Sequence, residues 1–170
     1  PKGDLEWPEV QAAWSLAGQL LKIIGTLFQF PSPEWKIVPL SHCAKLIRYS
    51  DPGGESSPIV YNLGHPRTRT SESLLAWNTL LCEVVDDTSD KLNQAHKDGL
   101  LDLSSMPTVP FPMTPNTIDG KDLSILSETD DSQWSRVIHC LSANLQWLSM
   151  CTSAHILQQV VLAANTVTSL

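Results

Sequence analysis

Apolar residues recur at helical spacing near the start of the chain: Val10, Ala13, Trp14, Ala17, Leu21, Ile24 and Phe28 form one row. Leu16, Leu20, Ile23, Leu27 and Phe30 form a second row beside it, and Lys22 is the only charge between Val10 and Pro33. Two adjacent rows cover most of a helix's circumference, which predicts a helix buried on more than one side. Pro8 suits the first turn, where its missing N–H is no loss. Pro31 and Pro33 end the pattern.

In "SPEWKIVPLSHCAKLIRYSDPGG", Pro39 interrupts any long helix, and Leu40, Cys43, Ala44 and Ile47 then make a short helical stripe up to the breaker "DPGG". A strand over residues 36–38 is the weaker alternative. "ESSPIVYNLGHPRTRT" reads as a loop, because three residues of strand propensity without a partner make no sheet. A helix follows in "TSESLLAWNTLLCEVVDD", with Leu74, Trp77, Leu81, Val84 and Val85 on one face. Asp86, Asp87 and Asp90 oppose a helix C-terminal dipole, so they are read as the start of another helix capped by Thr88 or Ser89.

Pro107, Pro110, Pro112 and Pro115 then forbid a helix, and residues 104–120 are read as a Pro-rich loop lying along its own domain. Two helices are expected at the end. The first has Trp134, Val137, Ile138, Leu141, Leu145 and Leu148 on its apolar face. The second starts from a Thr152 or Ser153 cap and carries Ile156, Leu157, Val160, Val161, Ala164 and Val167. Their short junction predicts antiparallel neighbours or one kinked helix.

"AWSLAGQLL" and "AWNTLLCEV" loosely echo one another. The whole pattern resembles helical-repeat scaffolds of the HEAT or armadillo type in architecture. The expected fold class is therefore all-α: an irregular antiparallel bundle or HEAT/armadillo-like segment with long Pro-containing loops. Residues 1–170 are read as a single helical domain taken from a larger protein.

Charge changes this picture in one place. The chain holds 11 Lys and Arg against 18 Asp and Glu, a net charge of −7, which argues against a nucleic-acid face. Yet the last 34 residues, from Val137 to Leu170, carry no Asp, Glu, Lys or Arg. At the chain's own charge content about six would be expected. No run of about 18 apolar residues exists, so a membrane-spanning helix is excluded and no membrane contact is expected. A neutral polar flank suits partial burial, where charge is costly and amides or hydroxyls still find hydrogen bonds.

These helices are therefore expected to face a partner, either another protein or a second copy of the chain. Gln146, Trp147, Ser149, Gln158, Gln159 and Asn165 are the expected contacts, with Arg67 and Arg69 as a minor basic pair.

Chemistry is sparse. Cys43, Cys82, Cys140 and Cys151 fall in helical patterns and read as buried thiols in a reducing compartment, cytoplasm or nucleus. Adjacent His42-Cys43 and His139-Cys140 pairs point about 100° apart on a helix, which disfavours a nucleophile–base pair. Cys151 and His155 have the spacing for two zinc ligands, but no Cys-x-x-Cys accompanies them. No phosphate loop or nucleophile elbow is present. The expectation is a non-enzymatic intracellular scaffold domain without cofactor or metal. The alternative is a helical enzyme or ligand/metal-binding domain with a His/Cys-lined pocket.

Overall fold

The computed structural model describes residues 7–41, 43–50, 57–63, 71–102, 106–126 and 131–168, with side chains described as far as Leu157. The element order is α1 (Trp7–Leu27), β1 (Trp35–Leu40), β2 (Cys43–Arg48), β3 (Ile59–Leu63), α2 (Ser71–Lys97), β4 (Met113–Thr114), β5 (Thr117–Ile118), β6 (Lys121–Asp122), a 3₁₀ turn (Leu123–Ile125) and α3 (Asp131–Thr168). Strands β1-β2-β3 and β4-β5-β6 form two antiparallel three-stranded meanders. Each meander leads into a long helix, α2 after the first and α3 after the second. The fold is mixed α/β, which corrects the all-α expectation in both its bundle and its HEAT/armadillo form.

The segment read as a helical stripe is the β1–β2 hairpin. Leu40, Cys43, Ala44 and Ile47 fit a helical period, but Ala44 and Leu46 fit a period of two and are fully buried. Partners decide between the two readings. β2 pairs on both sides, with Ile37↔Leu46 across to β1 and Leu46↔Tyr61 across to β3. "IVY" thus gains the partner that the sequence alone did not reveal. Pro39 is tolerated because β1 is an edge strand.

α1 forms where expected but is buried on one side only. Leu21, Ile24 and Phe28 are in the core, while Leu16, Ile23 and Leu27 of the second row are exposed. Gly18 lets the α1 backbone lie against the first sheet: a Cβ there would stand 2.9 Å from Ala44 Cβ. Ser15 Oγ donates to the Leu40 carbonyl at the end of β1. Trp14 and Trp77, the two residues of the sequence echo, meet edge to face at 5.3 Å. α1 ends with Gln29 at φ 52, and Phe30 N–H closes back on Gly25 O at 2.8 Å.

α2 runs unbroken through the acidic cluster. Asp87 takes the Lys91 ammonium one turn on at 2.8 Å, and Thr88 is fully buried rather than capping. α3 is likewise continuous. Thr152 Oγ1 donates back to Leu148 O at 2.7 Å and Ser153 Oγ to Ser149 O at 2.9 Å, so the expected caps serve as internal helix bonds.

The Pro-rich segment packs on the core through Met106, Val109, Phe111 and Met113. It contains the second meander, whose Asp119-Gly120 turn has φ 50 and φ 71, the geometry of a type I′ hairpin.

Candidate interaction surfaces

Prolines donate no hydrogen bond, so the Pro-rich segment needs partners chiefly for its carbonyls, and the long helices supply them. Fully buried Asn144 of α3 donates to Phe111 O at 2.8 Å and accepts from Phe111 N–H at 3.0 Å, imitating a neighbouring strand. Fully buried Asn78 of α2 donates to Thr114 O at 2.7 Å and Pro115 O at 3.0 Å. Trp147 Nε1 donates to Pro107 O at 2.6 Å. Arg136 of α3 reaches the Asp119 carboxylate at 2.6 Å.

Trp147 is therefore turned inward, 5% exposed, and holds the chain's own loop. Gln146 is exposed and Ser149 half-buried. Gln158, Gln159 and Asn165 lie on the helical backbone of α3 beyond the described side chains, and Arg67 and Arg69 lie outside the described residues.

Helical spacing alone puts Ser135, His139, Ser142 and Gln146 on one face, and the unbroken α3 carries that row onward. Ser135, His139, Ser142, Gln146, Met150, Ser153 and Leu157 are all exposed and follow one another at intervals of three or four along α3. They form an uncharged stripe about 33 Å long at 1.5 Å rise per residue. His139 packs its ring edgewise on Phe111 at 5.8 Å. Where the stripe passes the end of α1, His155 stacks on Phe28 at 5.0 Å, while Ile156 and Leu157 are 41% and 66% exposed.

The thiols are poorly suited to nucleophilic chemistry. Burial first, then the nearby Asp86 carboxylate, pushes Cys82 up to about 11; burial pushes Cys151 up to about 11 and raises Cys140. Among the described residues no group of His, Cys, Asp and Glu is arranged to hold a metal ion. A shallow depression of about 220 Å³ lies between the α1–β1 connection and α2, lined by Pro31, Ser32, Pro33, Glu34, Trp35 and Glu83. Burial raises the Glu83 pKa, partly offset by the Trp35 Nε1–H donated at 3.4 Å. Arg48 lies over the Trp35 ring at 5.2 Å and pairs with Glu34 at 3.7 Å. Glu34, Trp35 and Glu83 are engaged in this way, while the buried Ser32 Oγ has no hydrogen-bond partner among the described residues.

Two antiparallel meanders, each followed by a long helix, frame the described fold. The sequence model of the Apg6 BARA domain matches residues 1–154, and the chain belongs to that family. It is also similar to Beclin-1-like protein B of Dictyostelium discoideum, 22% identical over 158 residues, which is 87% of this chain and 16% of that protein. The chain is thus a Beclin-type BARA domain: a non-catalytic, autophagy-related domain that in this family is part of a larger intracellular protein and binds membranes.

Family membership corrects the expectation of no membrane contact. Among the described residues no helix is long and apolar enough to cross a membrane. A domain that binds at the lipid surface needs no such helix.

Proposed function

We propose that this chain is a membrane-associated scaffold of the autophagy machinery in the cytoplasm, and that it docks a protein along the uncharged stripe of α3. The stripe is the observation that carries this reading. A flank left to water usually bears Lys and Glu; this one stays neutral from His139 to Leu157 and ends in exposed Met150 and Leu157. A second helix laid along it would cover Met150 and Leu157 without stranding a charge. Gln146 and Ser149 stand near its middle, and Gln158, Gln159 and Asn165 extend the same neutral composition along the helix.

Gln146→Lys tests it. Because Gln146 is exposed, the variant should keep its unfolding free energy within about 0.5 kcal/mol of the parent. Light scattering separates the two occupants. A dimer that Gln146→Lys dissociates identifies a second copy. If the chain is monomeric, a photo-crosslinking residue at position 146 of the full-length protein should capture a partner polypeptide that the same probe at exposed Ser132 does not. A monomer with equal labelling at both positions would end the proposal, as would unfolding of Gln146→Lys.

A further inference from the structure

The first sheet has two faces of opposite character. Trp35, Ala44, Leu46 and Leu63 point one way and are buried. α1 lies on that side, with Gly18 against Ala44 and Ile37, and Trp35 reaches Glu83 of α2 there. The other face carries the cross-strand rows Lys36–Ile47–Val60 and Val38–Lys45–Asn62, followed by the pair Leu40–Cys43. Lys36 and Val60 are exposed; Val38, Lys45 and Ile47 are half-buried. The two lysines are diagonal neighbours with aliphatic side chains beside them.

The charge of this region is opposite to that of the chain. Residues 35–48 contain Lys36, Lys45 and Arg48 and no Asp or Glu, and β3 is uncharged, whereas the whole chain carries −7. The ion pairs among the described residues join Arg48 to Glu34, Lys91 to Asp87 and Arg136 to Asp119, so neither outward lysine is neutralised by one of them. α1 and α2 both lie against the opposite face, which leaves these rows outward.

We propose that this outer face of the first sheet is the surface through which the domain meets anionic lipid, a step that rests on the membrane-associated reading above. Lys36 and Lys45 lay their aliphatic stems over the sheet and set their ammonium groups at the phosphate level. Ile47, Val38 and Val60 meet the headgroup–acyl boundary. The rest of the acidic molecule is repelled by the same membrane, which orients the sheet towards it and the stripe of α3 away for a protein partner.

Vesicle sedimentation of the 170-residue chain tests this, with phosphatidylcholine alone and with phosphatidylcholine containing phosphatidylserine. The chain should bind the anionic vesicles, and binding should fall as salt rises. Each lysine lost should weaken it about fivefold, so Lys36→Gln with Lys45→Gln weakens it roughly 25-fold. The pair Lys97→Gln with Lys121→Gln, exposed lysines at the end of α2 and in β6, should leave binding within about twofold. Unchanged thermal unfolding of both variants shows that folding is not the cause.

Equal binding by the parent and Lys36→Gln/Lys45→Gln would overturn the assignment of this face while leaving membrane association intact. An equal loss in Lys97→Gln/Lys121→Gln, or equal parent binding to both kinds of vesicle, would overturn it too. No binding of the parent chain to either vesicle would remove the membrane reading itself. Capture by polyglutamate that depends on Lys36 and Lys45, without vesicle binding, would make the face a site for an acidic protein and end the lipid proposal.

Discussion

The two sheets have three strands each, but they are held by different forces. The first has strands of five and six residues with a full hydrogen-bond ladder and a buried apolar face in which Ala44 and Leu46 are wholly hidden. The second has strands of two residues, and only Ile118 among its strand residues is buried. Its ladder is too short to stand alone. Buried amides from the helices complete it: Asn144 holds the approach at Phe111, and Asn78 holds the Thr114–Pro115 turn. One sheet is thus a hydrophobic layer, and the other is a clasp whose shape is written in side-chain hydrogen bonds. The comparison explains how a segment with four prolines between Pro107 and Pro115 can be ordered: the helices supply the bonds that prolines cannot make between themselves.

The contrast can be broken from either side. Leu46→Ala should cost the most, about 3 kcal/mol, because it empties a site packed under both α1 and the strands. Chemical denaturation should show a lower midpoint for the whole domain, and hydrogen exchange should speed up along β1–β3. Asn144→Ala should cost about 2 kcal/mol, since it leaves Phe111 N–H and C=O without their partner in a closed environment. Its exchange signature should differ, with residues 106–122 losing protection while β1–β3 keep theirs. If Asn144→Ala instead unfolds both sheets together, the clasp is part of the main core and the distinction fails. Gly120→Ala should cost least, about 1 kcal/mol, because Gly120 sits at φ 71 and a side chain there is strained even with open space around it. A thermal melt of that variant with exchange confined to β5–β6 would sharpen the comparison.

Several parts of the molecule were legible in residue pattern alone. The core face of α1, the face of α2 around Leu74, Trp77 and Leu81, and that of α3 around Val137, Leu141, Leu145 and Leu148 all repeat at helical spacing, and all are buried. The sheets were harder to see. In "WKIVPLSHCAKLIR" both periods find apolar residues, and strand pairing across β2 resolves them. Asp119-Gly120 was a readable hairpin signal, hidden among prolines that suggested an extended loop. The apparent helix breaks at Asp86–Asp90 and at Thr152–Ser153 rested on cap residues. Such side chains can equally bond back into the turn before them, and within packed helices they do.

Residue order by itself determined where the long helices lie, that α2 and α3 bury the rows around Trp77 and Leu145, that the last 34 residues are uncharged and that Cys82, Cys140 and Cys151 are inward, whereas Cys43 is half-buried in β2 and not in a helix. Those properties follow from periodicity and composition, which are local. Tertiary structure decided what is non-local: the partners of β3, the inward turn of Trp147 onto Pro107, and the exposure of Leu16, Ile23 and Leu27. It also decided the separation of a basic sheet face from a neutral helix stripe. An amphipathic pattern states that a residue wants cover, but only the neighbours that reach it settle whether it finds any, and those neighbours come from distant parts of the chain.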